Sequence, residues 1–261
     1  KIRVALKQLR QLDTQAASAE YKSLFSRLGE LSNPVRDLDV FLLQLENYQQ
    51  HFETSGWQQL QTLREYLTHS RAEAQKSLMA ELKSPQYYDD IKKFRDYLEH
   101  DEIEADTSDK AGIAIYKLAD ELLWQITQHV VKQGKTITDK SDAEAVHELR
   151  KTFKQLRYLI DFFQGLYPAV QLRDLIQTLI DVQDELGEFN DRHIQIGMLK
   201  AFIEQSKDED AIKVAEQLIK ILHHQQLEAG RRFKHSFAAF SSPGNQKKFK
   251  EIFVEYYGGK K

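Results

Sequence analysis

Apolar residues recur at three- and four-residue intervals through almost the whole of this chain, and residues that would interrupt such a pattern are rare. Four prolines and eleven glycines are spread over 261 residues, and the good helix formers Leu, Gln, Lys, Glu and Ala dominate between them. No alternating strand with hairpin-turn chemistry is visible. The pattern predicts an all-α fold. Its joins are predicted at a stop and restart over Ser32-Asn33-Pro34, a break over Glu53-Thr54-Ser55-Gly56, and cap-proline pairs at Ser84-Pro85 and Ser242-Pro243. Two more fall at Tyr167-Pro168 and at Gly134 to Ser141, where Ser141 or Asp142 can cap a helix beginning near Ala143.

With 41% hydrophobic residues at this length the chain can bury a core, so wholesale disorder is excluded. No run of eighteen apolar residues exists, which excludes a membrane-spanning helix. The absence of cysteine excludes disulfides, thiolate metal sites and a cysteine nucleophile, and permits a cytoplasmic location. Lys1 leads at once into the amphipathic pattern Ile2-Arg3-Val4-Ala5-Leu6 with no cap, which predicts that residues precede it in a longer chain.

The sequence also matches itself. Lys7-Gln8-Leu9-Arg10 returns as Lys154-Gln155-Leu156-Arg157, and in that register Arg3 pairs with Arg150. Leu28-Gly29-Glu30 before Val35-Arg36-Asp37 answers Leu186-Gly187-Glu188 before Phe189-Asn190-Asp191. Leu82-Lys83-Ser84-Pro85 answers Phe240-Ser241-Ser242-Pro243. Ordered matches of this kind predict an internal duplication. The expected architecture is two pseudo-symmetric bundles of about four helices each with a basic cleft between them. The first spans 1–99, and an acidic linker over 100–110 carries Asp101, Glu102, Glu104, Asp106 and Asp109. The second spans 111–261.

On a helical wheel His147, Arg150, Lys151, Lys154 and Tyr158 gather within about 100°, with Arg157 at one border. Leu149, Phe153, Leu156, Ile160 and Phe163 lie opposite. In the first half Arg3, Lys7 and Arg10 form a similar stripe against Ile2, Ala5, Leu9 and Leu12. Like charges at these spacings cost a few tenths of a kcal/mol per pair in an isolated helix, and a polyanion would neutralise them. Arg can fork onto phosphate oxygens and Lys adds a flexible point charge. The blander account is a solvated basic face paired with acids on neighbouring helices; the duplication favours the polyanion. The formal charge of −3 then confines binding to these stripes.

Other constellations say less. His147-Glu148-Leu149-Arg150-Lys151 opens like a zinc-helix motif, but Lys151 stands where the second histidine is needed. His223 and His224 are adjacent and point to different helix faces. No glycine-rich phosphate loop or nucleophile elbow occurs. Asp37, Asp39 and Asp191 are expected near helix starts, as caps or partners of Arg rather than catalysts. Arg231-Arg232-Phe233-Lys234-His235 is a second basic patch, read as a solvated helix end. No cofactor or metal is expected. Base-stacking aromatics are scarce beside the stripes, Tyr158 excepted, which argues against nucleic acid. The competing reading is a metal-dependent phosphohydrolase using His147 with aspartates and a divalent ion.

Val146-His147-Glu148-Leu149-Arg150-Lys151-Thr152-Phe153-Lys154-Gln155-Leu156-Arg157-Tyr158 resembles the signature helix of CHAD domains, a histidine-bearing α-helical family. Val35-Arg36-Asp37-Leu38-Asp39-Val40 resembles the family's second signature, and Leu186-Gly187-Glu188-Phe189-Asn190-Asp191 its counterpart in the other half. The resemblance implies two four-helix bundles and a non-enzymatic domain that binds inorganic polyphosphate in a basic cleft, in the cytoplasm at polyphosphate granules. Carried onto this chain, the implied binding residues are Arg3, Lys7, Arg10, Arg36, His147, Arg150, Lys154 and Arg157. Asn190 stands opposite Arg36 in the repeat, so the halves are not expected to contribute equally.

Overall fold

The computed structural model describes residues 1–9, 17–52, 57–99, 113–138 and 141–256, without the side chains of residues 7–9 and 17–18. The predicted acidic linker over 100–110 lies outside the described residues. Among those described, no strand occurs and nine α-helices follow one another. They are α1 (Ile2–Leu9), α2 (Ala17–Gln49), α3 (Trp57–Leu82), α4 (Pro85–Glu99), α5 (Ile115–Gly134), α6 (Ala143–Phe163), α7 (Ala169–Gln205), α8 (Glu209–Phe240) and α9 (Pro243–Lys250). A short 3₁₀ turn, Gln164–Leu166, follows α6, and a π turn, Glu251–Glu255, follows α9.

Several helix starts are written in the local sequence. Ser84 Oγ accepts from the Tyr87 amide at 3.1 Å, Asp142 from the Ala145 amide at 2.8 Å and Ser242 from the Asn245 amide at 3.3 Å. Each satisfies one of the orphan donors of a first turn. The predicted stop at Ser32-Asn33-Pro34 does not occur: α2 runs unbroken with Pro34 inside it. The proline ring leaves the Glu30 carbonyl without its helical donor. Packing offsets that loss, because Leu38, Phe41, Leu45 and Tyr48 follow at three- and four-residue spacing and all are buried. Asp37, Asp39 and Asp191 therefore sit inside α2 and α7, not near helix starts.

The chain divides into two compact units, one of Ile2–Ala111 with Ile194–His223, the other of Gly112–His193 with His224–Lys261 and Lys1. In this division the α7–α8 hairpin over Ile194–His223 groups with the first-half helices. The reason is visible in the core. Leu38, Phe41 and Leu45 of α2 and Leu60, Leu63 and Leu67 of α3 pack with Ile196, Leu199 and Phe202 of α7 and with Ala211, Ala215, Leu218 and Leu222 of α8. One buried polar bridge crosses this core. The Tyr48 hydroxyl donates to Gln195 Oε1 at 3.1 Å, and Gln195 Nε2 donates to Gln44 Oε1 at 2.8 Å. A polar group placed there without partners would cost about 1–3 kcal/mol, so the bridge fixes how the hairpin seats on α2.

The other unit is built on aromatic packing. Phe153 of α6 meets Phe240 of α8 at 5.1 Å between ring centroids, Phe240 meets Phe249 at 5.3 Å, and Phe253 meets Tyr167 at 5.4 Å. The Tyr167 hydroxyl donates to Asp120 of α5 at 2.7 Å. Gly134, buried at the end of α5, leaves room for the Phe237 ring, which a Cβ there would meet at 2.2 Å.

Candidate functional site

Helix α6 carries the motif singled out in the sequence. Asp142 caps it, Glu144 sits in its first turn, and Val146, Leu149, Phe153, Leu156, Ile160 and Phe163 are buried along one face. His147, Arg150, Lys154 and Arg157 are half-buried on the other side, at spacings of three, four and three residues. This is the separation of faces that the wheel predicts.

Two members of this row are held by α7. His147 Nδ1 lies 2.8 Å from Oδ1 of Asn190, itself buried at 7% exposure. Arg157 Nη1 donates to Gln183 Oε1 at 3.1 Å, while Gln183 Nε2 donates to the Phe153 carbonyl at 2.8 Å. Lys151, within the predicted arc, is instead paired to Glu148, and that hydrogen bond holds the Glu148 carboxyl below its usual range. Lys1 Nζ pairs with Asp161 at 3.1 Å and lies 6.0 Å from the centre of the Tyr158 ring.

In the other unit the Arg3 guanidinium rests on Gly29 of α2, where a Cβ would meet its Nη1 at 3.2 Å. Arg36 is one heptad further along α2, about 10 Å on and on the same face. It pairs with Asp37 at 3.1 Å and stays half exposed. Lys7 lies on α1 with its side chain outside the described atoms, and Arg10 lies outside the described residues. The structure therefore groups Arg3 with Arg36 in one unit and His147, Arg150, Lys154 and Arg157 in the other.

The remaining candidates resolve into structural roles. Asp39 pairs with Arg71 at 2.9 Å. Arg232, from the second basic patch, reaches Glu185 at 2.8 Å and also Glu188, both on α7. Among the described residues no group of three or more His, Asp or Glu could hold a metal ion, and no helix is long and apolar enough to cross a membrane. What the α6 face offers chemically is a row of hydrogen-bond donors and positive charge.

A family model described as the CHAD domain matches residues 1–200. The chain belongs to the CHAD domain family. No curated protein matches it. Its fold is similar to the crystal structure of the CHAD domain from the plant Ricinus communis, with a TM-score of 0.67 at 20% identity, over 91% of this chain and 80% of that one. That likeness shows that the helical architecture of CHAD domains is kept here under a largely different sequence.

Sequence reasoning missed the two amides of α7. In the sequence Asn190 reads as part of the second-half signature and as the place where a basic residue is replaced, and no motif there singles out Gln183. The signal was available: on an antiparallel neighbour, residues seven apart share a face, as do His147, Lys154 and their surroundings on α6.

Proposed function

We propose that this CHAD domain binds inorganic polyphosphate along the polar face of α6, through His147, Arg150, Lys154 and Arg157, and performs no chemistry on it. Arg3, Lys7, Arg10 and Arg36 are proposed to supply a second cationic set. The observation that carries this reading is the row itself: four basic side chains on one side of a helix whose other side is apolar. A repeating phosphate chain presents oxyanions at short, regular intervals, which suits such a row better than a compact anion does. Arg150 and Arg157 can fork onto phosphate oxygens, and Lys154 adds a mobile charge. The likeness of Val146–Tyr158 to the family's signature helix supports polyphosphate over other polyanions. In a cell such a domain would collect in the cytoplasm at polyphosphate granules.

Isothermal titration with long-chain polyphosphate tests the assignment. The double variant Lys154→Ala/Arg157→Ala is expected to bind about a hundredfold more weakly or worse, since each of the two lost charge-assisted bonds carries about 1.5 kcal/mol or more. Unchanged affinity would remove the site from this face. Incubation with polyphosphate and magnesium should leave chain length unaltered; shortening would replace this proposal with a phosphohydrolase.

A further inference from the structure

Among the described residues, basic side chains are held by carboxylates in some places and by side-chain amides in others. Arg232, Lys151, Arg71 and Arg27 are paired to carboxylates: Glu185 and Glu188, Glu148, Asp39, and Asp90 with Glu81. His147 and Arg157 are instead tied to α7 through side-chain amides, Asn190 and Gln183. The contrast lies within a single helix, because Glu185 and Glu188 of α7 serve Arg232 while Gln183 and Asn190 of α7 serve the α6 row.

The orientation of Gln183 follows from its partners. Gln183 lies between a carbonyl, which can only accept, and a guanidinium, which can only donate. Its Nε2 must therefore face Phe153 and its Oε1 must face Arg157, and a glutamate could not make the first bond. Asn190 Oδ1 lies 2.8 Å from His147 Nδ1, and an amide oxygen can only accept, so this orientation requires a proton on Nδ1 and leaves Nε2 as the ring atom to face a ligand. A carboxylate at either place would fix the same side chain but cancel the charge that attracts an anion.

We infer that Asn190 and Gln183 are positioning residues of the α6 face, orienting His147 and Arg157 through neutral oxygen acceptors so that the positive charge stays available to a polyanionic phosphate chain. This rests on the proposed polyphosphate site and adds to it the reason that amides occupy these two places. The residue opposite Arg36 in the repeat is then not a lost cation but a support for a neighbouring ligand group.

Two measurements test it. In ligand-free protein in mildly alkaline solution, long-range nitrogen–proton correlation spectra should show His147 protonated at Nδ1 with a bare Nε2. The variant Asn190→Ala should lose that preference, and a wild-type ring protonated at Nε2 overturns the inference. In polyphosphate titrations Asn190→Asp, which keeps the acceptor and adds a charge, should keep the tautomer yet bind about tenfold more weakly. Gln171→Glu, which adds the same charge at an exposed position of α7, should stay within about twofold of wild type. Equal affinities for Asn190→Asp and Gln171→Glu overturn the inference. A wild-type protein that does not bind polyphosphate overturns the proposed function instead, and the spectra then still decide whether Asn190 sets the His147 ring.

Discussion

At the scale of single residues, buried Gly134 and half-buried Asp120 oppose local preference to tertiary demand. Alanine is favoured over glycine in a helix by about 1 kcal/mol. At Gly134, however, the added Cβ would fall 2.2 Å from Phe237 Cε2 and 2.3 Å from Cζ. Overpacking of that kind costs about 1–3 kcal/mol or more, so Gly134→Ala is expected to lower the melting temperature by several degrees. Asp120 offers a test by pH. Burial pushes its carboxyl above the usual range, and the hydrogen bond from Tyr167 only partly opposes that shift. A raised folded-state pKa means the folded protein binds this proton more tightly. The stabilisation from protonation is therefore present at low pH and is lost as pH rises through the folded value. Asp120→Asn removes the ionisation and keeps the acceptor for Tyr167. It should melt higher than wild type near neutrality, and the two curves should converge below the ordinary aspartate range.

At the scale of elements, caps were legible because each is a short-range arrangement: Ser84, Asp142 and Ser242 announce α4, α6 and α9 by their own chemistry. The face of α6 was legible too, since a period of 3.6 sorts Phe153 from Lys154 without knowledge of any neighbour. Pro34 misled for the opposite reason. Its cost is local, but what outweighs it is the burial of Leu38, Phe41, Leu45 and Tyr48 against helices distant in sequence. Pro34→Ala would restore the amide that the Glu30 carbonyl lacks, and it should raise stability by about 1–3 kcal/mol in denaturant titration. Helix α4 lies at the other extreme, with no fully buried side chain. Tyr21 is one of the residues that hold it: its ring meets Phe94 at 5.0 Å and Tyr97 at 5.1 Å, and its hydroxyl donates to the Lys93 carbonyl at 3.2 Å, beside Phe25 on Phe94 and Arg27 on Asp90. Tyr21→Ala should speed hydrogen exchange throughout Pro85–Glu99 while leaving α6 protected.

At the scale of the molecule, the all-α class could be read from the sequence but the division of the chain could not. A run of acids marks a place where residues repel one another; it carries no information about which distant helix completes a core. Leu199, Phe202, Ala215 and Leu218 look, in sequence, like any amphipathic hairpin of the second half. Only their contacts with Phe41, Leu63 and Leu67 assign them to the first. A fragment of residues 1–110 is therefore expected to be largely unfolded by circular dichroism and readily cut by protease, although it holds all of α1 to α4. A cooperative melt of that fragment would contradict this account of the core.

That arrangement bears on how the protein is made. The chain leaves the ribosome from its amino end, so Phe41, Leu63 and Leu67 emerge long before Leu222, the last member of their core. At about 5–20 residues per second the wait is on the order of ten seconds. Throughout it, the apolar faces of α2 and α3 have no permanent cover. Nascent chains of this protein should therefore depend on chaperone shielding until Ile194–His223 has emerged, and a translational pause before that stretch should lower the yield of folded protein more than the same pause after it.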